Sequence, residues 1–378
     1  MDLVLTFLQN AGHFFLYYVL SFVVVLGIMI FVHELGHFLL AKYFDVKVLK
    51  FALGFGPKIV AKVIGETEYS IRYVPLGGFV KMLGEDIEDE DEDEDTVEIS
   101  PADAARSFSN KHPLKRMTIA ASGPFFNLLL AFILYWGLFF FSGKYIDSTE
   151  IGQVSPDSPA SQAGLLKGDI ITTVQGHDIK DWFEIKEMIY DKAGIPIEVT
   201  VERDGNPMTV TVIPEESTQE MMGQEVKVAL IGIVSSGKYV KKEFGPLGAM
   251  KEAAIETWNW IVRICKFIVK LFTGALSIKM MGGPIMIGQI TGQMAQVSLL
   301  ALIPFMAAIS INLGILNLFP IPILDGGLIV FLFIELLIGK PLSVKKREWA
   351  QKIGLSLLIL LMVVVFYNDI LRLFALTK

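Results

Sequence analysis

Apolar residues divide this chain into long runs free or nearly free of charge, separated by polar segments. Residues 3–32 carry no charged side chain and pass directly into an apolar stretch that ends at Lys42. A helix needs ~20 apolar residues to cross the hydrocarbon, so segment 1–43 is expected to hold a first transmembrane helix, roughly 12–42. The run is too long for a secretory signal peptide and lacks its basic n-region. Met117–Gly143 is a 27-residue uncharged run and is expected to form the second span, 117–143. Residues 280–324 are uncharged over 45 positions, more than one crossing requires. The part best suited to span is 299–318, and segment 299–339 adds a loop and a short apolar helix. A last span is expected over 353–375.

The intervening segments have other periods. In 44–116, β-formers cluster at Val46–Phe51, Lys58–Ile64, Tyr69–Val74 and Gly78–Met82, broken by Gly54-Phe55-Gly56-Pro57 and Pro75-Leu76-Gly77-Gly78. They read as β-hairpins, either cytoplasmic or dipping into the bilayer where the backbone is paired or lines a wet cavity. Residues 147–217 alternate turns and short strands, with a helix over 181–193. Their order around Ala163-Gly164-Leu165-x-x-Gly168-Asp169-Ile170 resembles a bacterial PDZ domain. Such domains bind peptide ends by strand addition; the domain either selects substrates or only shields a site. Segment 218–298 is expected to be amphipathic, interfacial and helical, with Trp258 and Trp260 among Lys251, Arg263 and Lys266. The fold class that results is a polytopic α-helical membrane protein with about four transmembrane helices, a membrane-associated β-sheet and an inserted α+β PDZ domain.

Composition supports a membrane protein: 53% of residues are hydrophobic, 19% are charged, and mean hydropathy is +0.53. The net charge of −7 is local in origin, because residues 85–98 hold eleven acidic residues and no basic ones. That run repels itself and is expected to be disordered. Without it the chain is modestly basic, and no nucleic-acid partner is expected. The basic loop 340–352 holds Lys340, Lys345, Lys346, Arg347 and Lys352 against Glu348, which places it in the cytoplasm. With four spans, the 44–116 loop is then also cytoplasmic and the 147–217 domain extracytoplasmic.

The candidate chemistry centres on His33-Glu34-Leu35-Gly36-His37. On a helix, His33 and His37 lie one turn apart on one face and can reach one metal ion. Glu34 follows about 100° around the helix, within reach of water at that ion. Ionisable groups at membrane depth usually mark function. The single cysteine, Cys265, excludes a cysteine-based zinc site and is read as packing. Asp325 follows Pro320 and Pro322, which cannot continue a helix. It is either an N-cap or a third ligand, and the topology brings it to the cytoplasmic end of its span, at the depth of the two histidines. Two imidazoles and a carboxylate would leave the fourth zinc position for water. Asn127, in the second span, is either packing glue or a group facing the site.

Together, His33-Glu34-x-x-His37, Gly54-Phe55-Gly56, Gly123-Pro124-x-x-Asn127, the PDZ-like segment and Asn317-x-x-Pro320-x-Pro322-x-Leu324-Asp325-Gly326 resemble the bacterial site-2 proteases over nearly the whole chain. The nearest subgroup is that of the regulator of sigma-E protease. The resemblance implies an intramembrane zinc endopeptidase of the bacterial inner membrane, with one Zn2+ on His33, His37 and Asp325 and Glu34 as acid/base. It implies that Asn317 holds the substrate backbone, and that strands around Gly54, Phe55 and Gly56 pair with an unwound substrate. Implied substrates are transmembrane segments of single-span proteins, of the anti-sigma-factor or signal-peptide-remnant type. Family members with two tandem PDZ domains differ from this chain, in which one is readable. The rival class is an inactive membrane adaptor that binds peptide tails, which would not need His33, Glu34, His37 and Asp325 together.

Overall fold

A computed structural model of the chain describes residues 15–85, 100, 103–221, 224–274 and 276–376. The beginning of the first expected span and the acidic run after Glu85 lie outside the described residues. Among the described residues, four helices are long and apolar enough to cross a membrane: Tyr17–Tyr43, Pro113–Ser142, Leu299–Asn317 and Val344–Phe374. These residues form two compact units. One is built from the chain up to Gly137 and from Met250 to Leu371, the other from Leu138 to Ala249 together with the residues from Arg372 on.

In the first unit, α1 (Ser21–Tyr43) continues from a π-helical turn at Phe15–Leu20. It is apolar all round: Val24, Ile28 and Leu39 are exposed while Val25, Met29 and Ala41 are buried. That pattern suits a helix with lipid on one side and protein on the other. Strands β1 (Val48–Ile64) and β2 (Thr67–Met82) follow. They fold back so that the short run Lys50–Leu53 has partners on both sides, Gly78–Lys81 on one and Glu68–Ile71 on the other. Residues Val60–Ile64 then pair with Thr67–Ile71 around the turn at Gly65. The register shifts at Gly54–Pro57 and at Pro75–Gly77, where glycines and proline break regular pairing. Phe51, Val80 and Met82 pack with Ala41 and Ile119, so one face of the sheet is sealed against the helices.

Helix α2 (Pro113–Ser142) starts four residues before the uncharged run. Pro113 suits the first turn, where its missing N–H has no partner to lose, and Lys115 and Arg116 lie within that turn.

The second unit has a four-stranded antiparallel sheet. With β3 (Lys144–Asp147), β4 (Ile151–Val154), β5 (Ile170–Val174), β6 (His177–Asp178), β7 (Ile197–Arg203) and β8 (Asn206–Val212), the sheet order is β6-β5-β7-β8. A short helix α3 (Pro159–Gln162) is capped by the Ser158 hydroxyl, and α4 (Trp182–Ile189) by the Asp181 carboxylate. Ile171, Val174, Val199, Val201 and Trp182 share one core. The expected helical segment 218–298 requires correction. Glu215–Met221 (β9) pairs with Gln224–Leu230 (β10), and Ile233–Ser235 (β11) pairs with β4. Tyr239–Lys242 (β12) pairs with β3. Val226, Val228 and Ala229-Leu230 make this a short run rich in β-formers, which favours a strand. The α+β unit therefore runs past 217, and helix begins only at α5 (Pro246–Phe272).

The long uncharged stretch then divides. Helix α6 (Pro284–Val297), at 14 residues, is too short to cross, and α7 (Leu299–Asn317) takes the spanning part. Helix α8 (Asp325–Ile338) follows the proline-broken loop, and α9 (Val344–Leu376) ends the described chain. Asp369 of α9 is buried and accepts backbone N–H bonds from Gly283, Ile285 and Met286, which caps α6 from a distant helix.

Candidate metal centre and active site

Helix α1 carries the two histidines on its buried face, one turn apart, 8% exposed each. Gly36 and Gly123 bring α1 and α2 together. A Cβ on Gly36 would meet the backbone of Ser122, and one on Gly123 would run into the rings of His33 and His37. Glycine is thus required on α2 where both imidazoles press against its backbone.

The third group arrives from the other end of the chain. After α7, Pro320 and Pro322 stop the helix, and Ile323 adopts φ +140°, strained for a β-branched residue. The loop turns tightly: a Cβ on Gly326 would meet the carbonyls of Leu318 and Phe319, and one on Gly327 that of Ile321. Asp325 is the first residue of α8, not a loop residue, and its carboxylate faces the histidines. His33 Nε2 lies 3.1 Å from Asp325 Oδ2, His37 Nε2 lies 3.4 Å from Oδ1, and the two Nε2 atoms are 3.3 Å apart. One ligand atom from each of the three residues fits within 4.8 Å of the others.

The donor chemistry fits a zinc ion. His37 Nδ1 lies 2.9 Å from the Ile119 carbonyl oxygen. That oxygen can only accept, so Nδ1 carries the proton and the Nε2 lone pair faces the cluster. Two neutral imidazoles and one carboxylate form a three-ligand set with a position left open. Glu34 lines the same cavity of about 320 Å³, beside His33, His37, Asn317 and Asp325.

The nominated residues separate here. Asn317 is at the site, with Nδ2 3.4 Å from His33 Nε2. Asn127 is fully buried, with Nδ2 3.1 Å from His33 Nδ1, behind the ring and away from the cavity. Gly54, Phe55 and Gly56 do not line the cavity. The Phe55 ring covers Gly77, and the Gly56 carbonyl accepts a bond from Arg72. Gly78, Phe79 and Val80 line it instead, and a Cβ on Gly78 would stand 3.1 Å from Glu34 Cγ. Both bends carry the same glycine and proline signals in sequence, and the one at Gly78 borders the cavity.

Glu85 was missed by reading it with the acidic run. It lines the metal cavity and a neighbouring one of about 440 Å³. Removal from water pushes its carboxyl up to about 7. In that second cavity Arg116 of α2 is paired with Glu335 of α8, a tie between the helix behind the histidines and the helix that carries Asp325. No local sequence signal joins residues 219 positions apart.

Comparison with known proteins agrees with this geometry. Residues 21–361 match the family model described as Peptidase family M50. The zinc metalloprotease RasP of Geobacillus kaustophilus is 33% identical, over 94% of this chain and 98% of that protein. The regulator of sigma-W protease RasP of Bacillus subtilis is 32% identical, over 94% and 99%. With the family matched across both halves of the histidine–aspartate cluster, the chain belongs to peptidase family M50, the site-2 protease family of zinc metalloproteases.

Proposed function

We propose that this zinc metalloprotease cuts peptide bonds within transmembrane segments of single-span substrates, with His33, His37 and Asp325 as zinc ligands and Glu34 as acid/base. The observation that carries the reading is the convergence of three ligand atoms and Glu34 in one cavity beside an apolar helix. Bound there, zinc supplies Lewis acidity toward the scissile carbonyl and lowers the pKa of water. Glu34 takes the proton from the attacking water and delivers it to the leaving amine nitrogen. Asn317, at the cavity wall, orients the substrate backbone through its amide. A helical substrate hides its carbonyls in i→i−4 bonds and has to be extended before attack. The segment Gly78–Val80 runs along the cavity and is suited to pair with that extended chain.

The wider reading places the protein in the bacterial inner membrane, with the site toward the cytoplasm and the α+β unit outside. That unit acts as a PDZ domain for peptide ends. A groove of about 380 Å³ supports this, lined by Trp182, Ile185 and Ile189 of α4 and by Ile231–Val234. The proposed substrates are of the anti-sigma-factor class, cut after a first cleavage, with signal-peptide remnants as the alternative.

The test is co-expression with single-span substrates of both classes. Glu34→Gln is expected to lower cleavage by about 10²–10⁴-fold with zinc retained, and Asp325→Asn to lower cleavage and zinc content together. Undiminished cleavage by Glu34→Gln would exclude this mechanism.

A further inference from the structure

We infer that Asn127 is a positioning residue for the metal centre: its side-chain oxygen accepts the Nδ1 proton of His33 and so holds the Nε2 lone pair toward the metal. The inference rests on His33 being a ligand. Asn127 is 0% exposed, lies on α2 directly behind the His33 ring, and has no access to the cavity where a substrate would lie. Its backbone carbonyl accepts a bond from Ser310 on α7, 2.8 Å away, which holds this turn of α2 in place.

With Nδ2 toward His33 Nδ1, the Asn127 Oδ1 is buried with no partner among the described residues. The two ends of an amide have the same shape, and their assignment follows from the hydrogen-bond network. His33 Nε2 faces Asp325 and His37 Nε2, so it is the nitrogen available to a metal. A neutral imidazole that gives Nε2 to a metal carries its proton on Nδ1. An NH2 group cannot receive that proton, whereas Oδ1 can. Turning the amide over gives the oxygen its donor, removes a clash of two N–H groups, and moves the NH2 to the position the oxygen held. Both histidines are then held in the same way, His37 by the Ile119 carbonyl and His33 by the Asn127 carbonyl. A carbonyl behind a zinc-bound imidazole fixes the tautomer, and losing it typically costs 10–100-fold in metal affinity.

The test measures zinc affinity of the detergent-solubilised full chain by competition with a chelator, together with the cobalt(II) absorption spectrum. Asn127→Asp keeps an oxygen acceptor and is expected to hold zinc at least as tightly as wild type. Asn127→Leu is expected to lose affinity about 10–100-fold and to change the cobalt spectrum. Ser310→Ala removes the neighbouring bond to α2 and leaves the Asn127 side chain intact, and is expected to lose less affinity than Asn127→Leu. If Asn127→Asp loses zinc as Asn127→Leu does, the amide donates to His33 and the inference is overturned. An unchanged affinity in Asn127→Leu, or an equal loss in Ser310→Ala, would also overturn it. His33→Ala separates the underlying reading: if it binds zinc as wild type does, His33 is not a ligand.

Discussion

Gly123 shows how closely the centre is packed at the level of single residues. It belongs to α2, is remote from the His-Glu-x-x-His segment in sequence, and takes no part in chemistry. A methyl group there would nonetheless occupy the space of both imidazoles. Gly123→Ala is therefore expected to displace the rings and lower zinc content by tenfold or more, on the order of the effect of losing an outer partner. Metal analysis of the purified variant checks this, and helix content by circular dichroism should be unchanged, since alanine favours helix more than glycine does. His33, Glu34 and His37 are legible from spacing alone, because a helical period of 3.6 puts the two histidines on one face wherever the helix goes. The part of Asn127 is not: in sequence it is one polar residue in an apolar span, and only the distance to His33 tells packing from ligand orientation.

Among the elements, the β-sheet beside the centre comes up against α1 at Gly78. A Cβ there would lie 2.9 Å from the Ala52 carbonyl oxygen and 3.1 Å from both Glu34 and Ile30. Gly78→Val would push α1 and the sheet apart, with an overpacking cost of about 1–3 kcal/mol. Cleavage is expected to fall sharply because Glu34 moves, while zinc stays, because His33 and His37 face α2 and α8. Parallel assays of cleavage and metal content distinguish the two. The strand segments around Gly54 and Gly78 were readable from β-formers and breakers. Which of them borders the metal was not, because pairing of Lys50–Leu53 with partners on both sides is a long-range choice.

At the scale of the whole molecule, the compact unit centred on Leu138–Ala249 has its own core and its own buried ion pair. Asp169 is 1% exposed and bonds Arg203 through both carboxylate oxygens, at 2.7 Å each, and the Leu166 amide at 2.8 Å. Burial raises the pKa of this carboxyl, but the bonds from Arg203 and Leu166 outweigh it and hold the group below its usual range. A depressed carboxylate contributes stability that is present above its unfolded value of about 3.9 and is lost as pH falls through the folded one. Residues 144–243 produced alone are expected to unfold cooperatively in urea. Asp169→Asn should cost roughly 1.5–3 kcal/mol at neutral pH, with the gap to wild type closing below about pH 4. A gap that does not depend on pH would show that the pair contributes nothing through charge.

The sequence by itself determined the four spans, the metal-binding spacing, the nearby aspartate behind two prolines, and the β character of the segment after the first helix. Each depends on short-range physics: hydropathy summed over one helix, the period of a helix or strand, and the dihedral limits of proline. Tertiary structure alone decided that Asp325, 288–292 residues away from its partners, meets them at about 3 Å. It also set the glycines that admit the rings, the carbonyls behind them, and Gly78–Val80 as the cavity wall. It carried strands on from 217 to Lys242, where helix was expected. These outcomes depend on packing between distant segments, where shape and hydrogen-bond geometry select one arrangement among many that the same local pattern allows.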